Sequence, residues 1–153
     1  MATPLDETDR EILDALRRDG RISMRSLAET VHISRANAYS RVERLTADGV
    51  IRGYHADIDP ELSGFGTSAY VTVNLRQSHW RQIEQRLQAL PGIAHIALVG
   101  GEFDAVLLVR ARDNTDLRRL VLEQILGIEG VLSTRTLLVF EEPATAPARL
   151  SAN

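Results

Sequence analysis

Between Ser34 and Arg44 the chain reads SRANAYSRVER, which places Arg35, Asn37, Tyr39, Ser40, Arg41 and Arg44 within about three helical turns. Arginine and asparagine carry paired hydrogen-bonding groups that match phosphate oxygens and base edges, so this cluster is suited to recognition rather than to bond breaking. A second cluster, VGGEFD, sets Gly100 and Gly101 before Glu102, Phe103 and Asp104. Two glycines permit close backbone approach, and two carboxylates in a loop can take an amine while backbone N–H groups take a carboxylate. A hairpin turn with incidental acids reads the same residues equally well.

Other chemistries find little support. The chain has 153 residues and no cysteine, which excludes disulfides, zinc knuckles and thiol catalysis. His32, His55, His79 and His95 form no HxxxH or HExxH pattern, so neither a metal nor a metal cofactor is expected. No run of about 18 to 20 apolar residues is present, and the acidic start MATPLDETDRE does not resemble a targeting peptide, so the expectation is a cytoplasmic, nucleoid-associated protein with no membrane partner.

The net charge of -3 counts against a nucleic-acid binder only as an average. From Arg21 to Arg52 the bases Arg21, Arg25, Arg35, Arg41, Arg44 and Arg52 face only Glu29, Glu43 and Asp48. Every basic residue is arginine, which suits bidentate phosphate and guanine contacts but is also what a coding bias would produce.

Three helices position the first cluster. Asp6 caps one that stops at Gly20 and turns Ile12, Leu13 and Leu16 inward; Ser23 caps a short one through Val31; Ser34 caps a third that runs to about Asp48, where Gly49 provides a left-handed stop. His32 and Ile33 make the tight connection between the second and third. At about 100° per residue, Ala38, Val42 and Leu45 share the buried side of the third helix. Ala36, Ser40 and Glu43 lie opposite, flanked by Asn37 and Arg44 on one side and Tyr39 on the other.

Small outward residues let a helix sit deep in a major groove, so the short helix, tight turn and arginine-bearing helix read as a helix-turn-helix. Ser34 and its helix start offer N–H groups to a phosphate. Arg25, Arg35 and Arg41 lie where backbone contacts are made, and Ala36, Asn37 and Ser40 read bases, with Arg44 beside them. Arg41 has the alternative of an internal pair with Glu43, Glu29 or another acid, and Tyr39 serves as readily for packing.

The rest of the chain reads as strand Val50–Ile58, a Pro/Gly/Ser-punctuated connection, then strand Thr67–Leu75, helix His79–Leu90, strand Ile93–Val99, strand Phe103–Ala111, helix Asn114–Leu126 and strand Val131–Phe140. The order βαββαβ is the ferredoxin-like split βαβ arrangement, making an α+β chain of a winged-type helix-turn-helix followed by a ferredoxin-like domain. The expected boundaries are 1–53 for DNA binding, 54–65 for a strand linker, 66–142 for effector binding and oligomerisation, and 143–153 for a mobile tail. Both helices cover one face of such a sheet, yet FDAVLLVRA and VLSTRTLLVF are apolar on both sides, so a second copy is expected on the other face.

These landmarks, LDETDREILDALRRDGR, LAETVHISRANAYSRVERLTADGVIRGYHADIDPELSGFG, GEFDAVLLV and VLSTRTLLVFEE, together resemble the Lrp/AsnC (feast/famine) family of transcription regulators from Leu5 to about Glu142. The resemblance implies dimers that assemble further, commonly to octamers, and an amino-acid effector held between dimers near Gly100, Gly101, Glu102, Phe103 and Asp104, with Thr134 and Thr136 as neighbours. Two departures stand out. His32 replaces a usual glycine in the turn, and Phe103 replaces a usual tyrosine, which removes a hydroxyl from the effector loop. The expected function is a sequence-specific transcriptional regulator on double-stranded DNA that answers to an amino acid. The alternatives are an architectural DNA-binding protein with little ligand response and a small enzyme using Glu102 and Asp104 as paired carboxylates.

Overall fold

The computed structural model describes residues 4–76 and 80–142, so the tail at 143–153 and the expected helix start at His79 lie outside the described residues. The chain divides into two compact units that change over between Asp57 and Ile58.

The first unit holds α1 (Glu7–Arg18), α2 (Met24–Thr30) and α3 (Arg35–Ala47). Each starts at a residue whose side chain accepts a backbone N–H that the helix itself leaves unpaired: Asp6 from Asp9 at 2.8 Å, Ser23 from Ser26 at 3.0 Å and Ser34 from Asn37 at 3.2 Å. Ile12, Leu13, Leu16, Leu27, Val31, Leu45 and Ile51 form the core between them. Gly49, at φ 74°, ends α3 in the left-handed region. Val50–Ile58 does not form the expected strand, because no neighbouring strand among the described residues offers it a ladder of hydrogen bonds.

A buried acid ties α1 to α3. Asp9 is 1% exposed and accepts from Arg44 at 2.6 and 2.7 Å and from Arg41 at 2.7 Å; Arg41 also reaches both carboxylate oxygens of Asp6. Burial works against the ionised form of Asp9, but the hydrogen bonds from Arg44, Arg41 and the Asp6 backbone outweigh it and hold its pKa below the usual 3.8. Asp6 is lowered too, chiefly by Arg41.

The second unit is β1 (Thr67–Leu75), α4 (Trp80–Gln88), β2 (Ile93–Leu98), β3 (Ala105–Ala111), α5 (Asn114–Arg119) running directly into a π-helix (Leu120–Ile125), and β4 (Val131–Val139). The sheet order is β2-β3-β1-β4 and every pairing is antiparallel, the ferredoxin-like arrangement. Alternation along β1 and β3 sends Ala69, Val71, Val73, Ala105, Leu107 and Val109 to one face, all fully buried against Ile83 and Leu87 of α4 and Leu117, Leu120, Val121 and Ile125. The other face carries Tyr70, Val106, Leu108 and Leu137, with no helix over them among the described residues of this unit; Tyr70 and Leu137 are exposed. Gly92 turns α4 into β2 at φ 94°, where an added Cβ would stand 2.4 Å from the Arg110 carbonyl oxygen.

Because the folded pKa of Asp9 and Asp6 lies below the unfolded one, their stabilisation is complete above the unfolded value of 3.8 and is lost as pH falls through the lower folded value. Protection factors of α1 and α3 amides should therefore fall as the pH drops below about 4, and Asp9→Asn should flatten that dependence. Asp9→Ala should cost the first unit about 2–4 kcal/mol, less than a fully buried pair because both arginines still reach water.

Candidate nucleic-acid interface and effector loop

The turn between α2 and α3 is closed by the N–H of Ile33 donating to the Ala28 carbonyl at 3.0 Å, with His32 at φ 55°. Histidine therefore fills the left-handed position usually given to glycine. Ala38 and Leu45 of α3 are fully buried and Val42 is half-buried, which fixes the rotation of the helix. Arg35, Ala36, Asn37, Tyr39, Ser40 and Glu43 are consequently exposed along one side.

Within that side the Arg35 guanidinium lies 5.6 Å from the centre of the Tyr39 ring, so Tyr39 steers a cation rather than filling a core. The Asn37 side-chain oxygen accepts from Arg41 Nε at 3.1 Å, so the NH₂ is the end of the amide left to act as a donor. Arg25 on α2 forms an exposed pair with Glu29 at 3.1 Å. Such a pair contributes little and yields readily to a phosphate.

Arg41 and Arg44, expected to face DNA, are placed elsewhere. Both are only partly exposed, at 23% and 31%, and their guanidinium groups are spent on Asp6 and Asp9. The sequence offered a sign in the two aspartates three apart at the start of α1, whose carboxylates exceed what capping and the helix dipole require. Only the crossing of α1 and α3 brings those acids under arginines more than thirty residues away.

At the other cluster, Gly100, Gly101 and Glu102 are exposed in the turn between β2 and β3, and Gly101 sits at φ 132°. Asp104 is not a free loop acid. Its Oδ2 accepts the Leu75 N–H at 2.7 Å and its own N–H donates to the Val73 carbonyl at 3.1 Å, so it fastens the turn to the end of β1. Glu102 faces Arg135 at 3.6 Å, and Arg135 also lies 5.3 Å from the centre of the Phe103 ring. Sequence reasoning missed Arg135 because it comes from β4, which only the sheet order brings near this loop. Thr134 and Thr136 pair with Val73 and Val71 and so lie on the helix-covered side of β4, the side away from Arg135. Among the described residues no group of three or more His, Cys, Asp or Glu could hold a metal ion, and no helix is long and apolar enough to cross a membrane.

Residues 5–52 match the model for winged helix-turn-helix DNA-binding domains, and residues 68–148 match that for the Lrp/AsnC ligand binding domain. The transcriptional regulator AldR of Mycolicibacterium smegmatis is 38% identical over 143 residues, covering 92% of this chain and 84% of AldR. The leucine-responsive regulatory protein of Klebsiella pneumoniae is 36% identical over 141 residues, covering 90% of this chain and 86% of that protein. Among solved structures, the feast or famine regulatory protein from Mycobacterium tuberculosis complexed with L-methionine superposes with a TM-score of 0.88 at 31% identity, over 97% of this chain and all of the other. The chain belongs to the Lrp/AsnC family of transcriptional regulators.

Proposed function

We propose that this regulator recognises specific DNA sites through the exposed side of α3 and that an amino acid bound at the Gly100–Asp104 loop, between dimers of an assembly up to the octamer, adjusts its binding. The observation that carries the DNA half is the side formed by Arg35, Ala36, Asn37, Tyr39 and Ser40, where small residues permit close approach and polar ones bond bases and phosphates. Asn37 reads a base through its amide donor, while Arg35, Arg25 and the N–H groups at Ser34 take phosphates. Arg41 and Arg44 act indirectly by setting α3 on α1.

The effector half is supported by the methionine complex of a similar protein and by a loop with exposed backbone N–H groups beside Glu102 and Arg135. In this reading Glu102 is the acid available to a ligand ammonium, Arg135 and the glycine N–H groups serve its carboxylate, and Asp104 keeps the loop in shape. The uncovered sheet face, where the Thr72 hydroxyl is buried without a partner among the described residues, is the face a second copy covers. A two-fold dimer would then place two α3 helices on half-sites about 34–36 Å apart or a multiple of that.

Fluorescence anisotropy on DNA from upstream of its own gene and on scrambled DNA, with and without amino acids, tests the proposal; equal affinity for both DNAs would favour an architectural role. Arg35→Ala should lower the slope of log affinity against log salt by about 0.9. Asn37→Ala should flatten discrimination at one half-site position by about 1–3 kcal/mol. Glu102→Gln should weaken the amino-acid response and leave DNA affinity unchanged; a full response in that variant would move the effector elsewhere.

A further inference from the structure

A groove of about 270 Å³ lies at the end of β3 opposite the Gly100–Asp104 loop, about 20 Å away by strand rise. Its volume falls below the range of about 300–1,000 Å³ usual for drug-sized ligands, so its occupant would be small. Arg110, Arg112 and Arg119 converge on it against a single lining acid, Asp116, and Phe65 and Leu120 supply an apolar wall. All of these residues belong to the second unit.

Arg112 and Arg119 share one carboxylate, and Arg110 is paired with Glu142, so the recess keeps an excess of one cation. Asp116 takes Nε and Nη2 of Arg112 at 3.2 and 3.5 Å and Nη2 of Arg119. The hydrogen bond from Arg112 is the main cause that pushes its pKa down to about 2, so it is ionised at any working pH. A guanidinium has five N–H donors, and one carboxylate cannot use those of two arginines. Arg110, 17% exposed, is braced from behind through Nη1 by Ser68 at 2.7 Å and by Glu142 at 2.7 Å. The result is a positively charged recess whose own acid is already saturated.

The wall next to these charges is irregular in a telling way. Leu120 and Gln124 reach the groove from the π-helix Leu120–Ile125, where the N–H of Leu126 donates to the carbonyl of Val121, five residues back. Such a turn is rare, gives up better hydrogen-bond geometry, and is found disproportionately at functional sites. Here it sets the Gln124 amide and the Leu120 side chain on the same recess as the three arginines.

We propose that this groove is a second ligand site, separate from the Gly100–Asp104 loop, that binds a small carboxylate lacking an ammonium group, of the 2-oxo acid class. The ligand carboxylate lies across Arg112 and Arg119, the oxo group meets the Gln124 amide or Arg110, and the apolar chain rests on Phe65 and Leu120. An amino acid is disfavoured because its ammonium would meet three guanidinium groups, and both acids in reach are already engaged, Asp116 with Arg112 and Arg119 and Glu142 with Arg110. The two ends of β3 therefore offer opposite chemistry. The loop end presents Glu102, exposed and only loosely paired with Arg135 at 3.6 Å, which suits an amine, and the groove end presents cations suited to an anion alone.

Isothermal titration of the full chain with 4-methyl-2-oxopentanoate, leucine and inorganic phosphate tests this. The oxo acid should bind at least about tenfold more tightly than either of the others in the groove. Arg112→Gln with Arg119→Gln, both exposed and away from the core, should weaken oxo-acid binding about tenfold or more and leave any leucine binding unchanged. Glu102→Gln should leave oxo-acid binding intact, which separates this site from the loop. Equal binding of phosphate, an unchanged oxo-acid affinity in the double arginine variant, or loss of oxo-acid binding in Glu102→Gln would each overturn the proposal.

Discussion

Asp9 is the residue on which the DNA-facing unit turns. A carboxylate 1% exposed is costly unless it is paired, and its partners are two arginines of α3 itself. The same interaction sets the position of α3 against α1 and turns Arg41 and Arg44 toward the acids of α1. Arg35, at the exposed start of α3, makes no ion pair among the described residues and stacks on Tyr39, beside an asparagine that accepts from Arg41. One buried acid thus shapes the electrostatics of a surface it does not reach.

In the second unit the governing constraint is the period of two along β1 and β3. Fully buried residues at alternate positions leave the intervening ones on the face opposite the helices of this unit. Because β3 is central, both of its ends emerge at the rim of the sheet, one at the loop fastened by Asp104 and the other at the groove closed by Arg110. Asp104 and Arg110 do comparable work at the two ends. Each spends its charge on neighbouring groups of the same unit, so the groups left to meet ligands are those beside them.

An Lrp/AsnC regulator must translate a ligand at the second unit into a change at the first, and a ligand can shift that balance only by binding one state better than another. In the reading proposed above, chemically different sites at the two ends of the sheet would give such a protein two inputs of opposite charge preference. The segment from Val50 to Ile58 forms no strand among the described residues, and its Ile51 is held in the core of the first unit.

The sequence by itself determined the helix starts, since Asp6, Ser23 and Ser34 act within three residues of themselves, and it determined the buried side of α3 and the βαββαβ order through period alone. Those features rest on local hydrogen bonds and on which residues avoid water. It did not determine which arginines of α3 are free, because that depends on where α1 crosses it. Nor did it reveal that Asp104 is a fastener, that Glu102 faces Arg135, or that three arginines from β3, its end and α5 share one recess. These are encounters between residues far apart in the chain. Side chains of the same type diverge in role only when tertiary packing decides which counter-charges they meet and how much water remains around them.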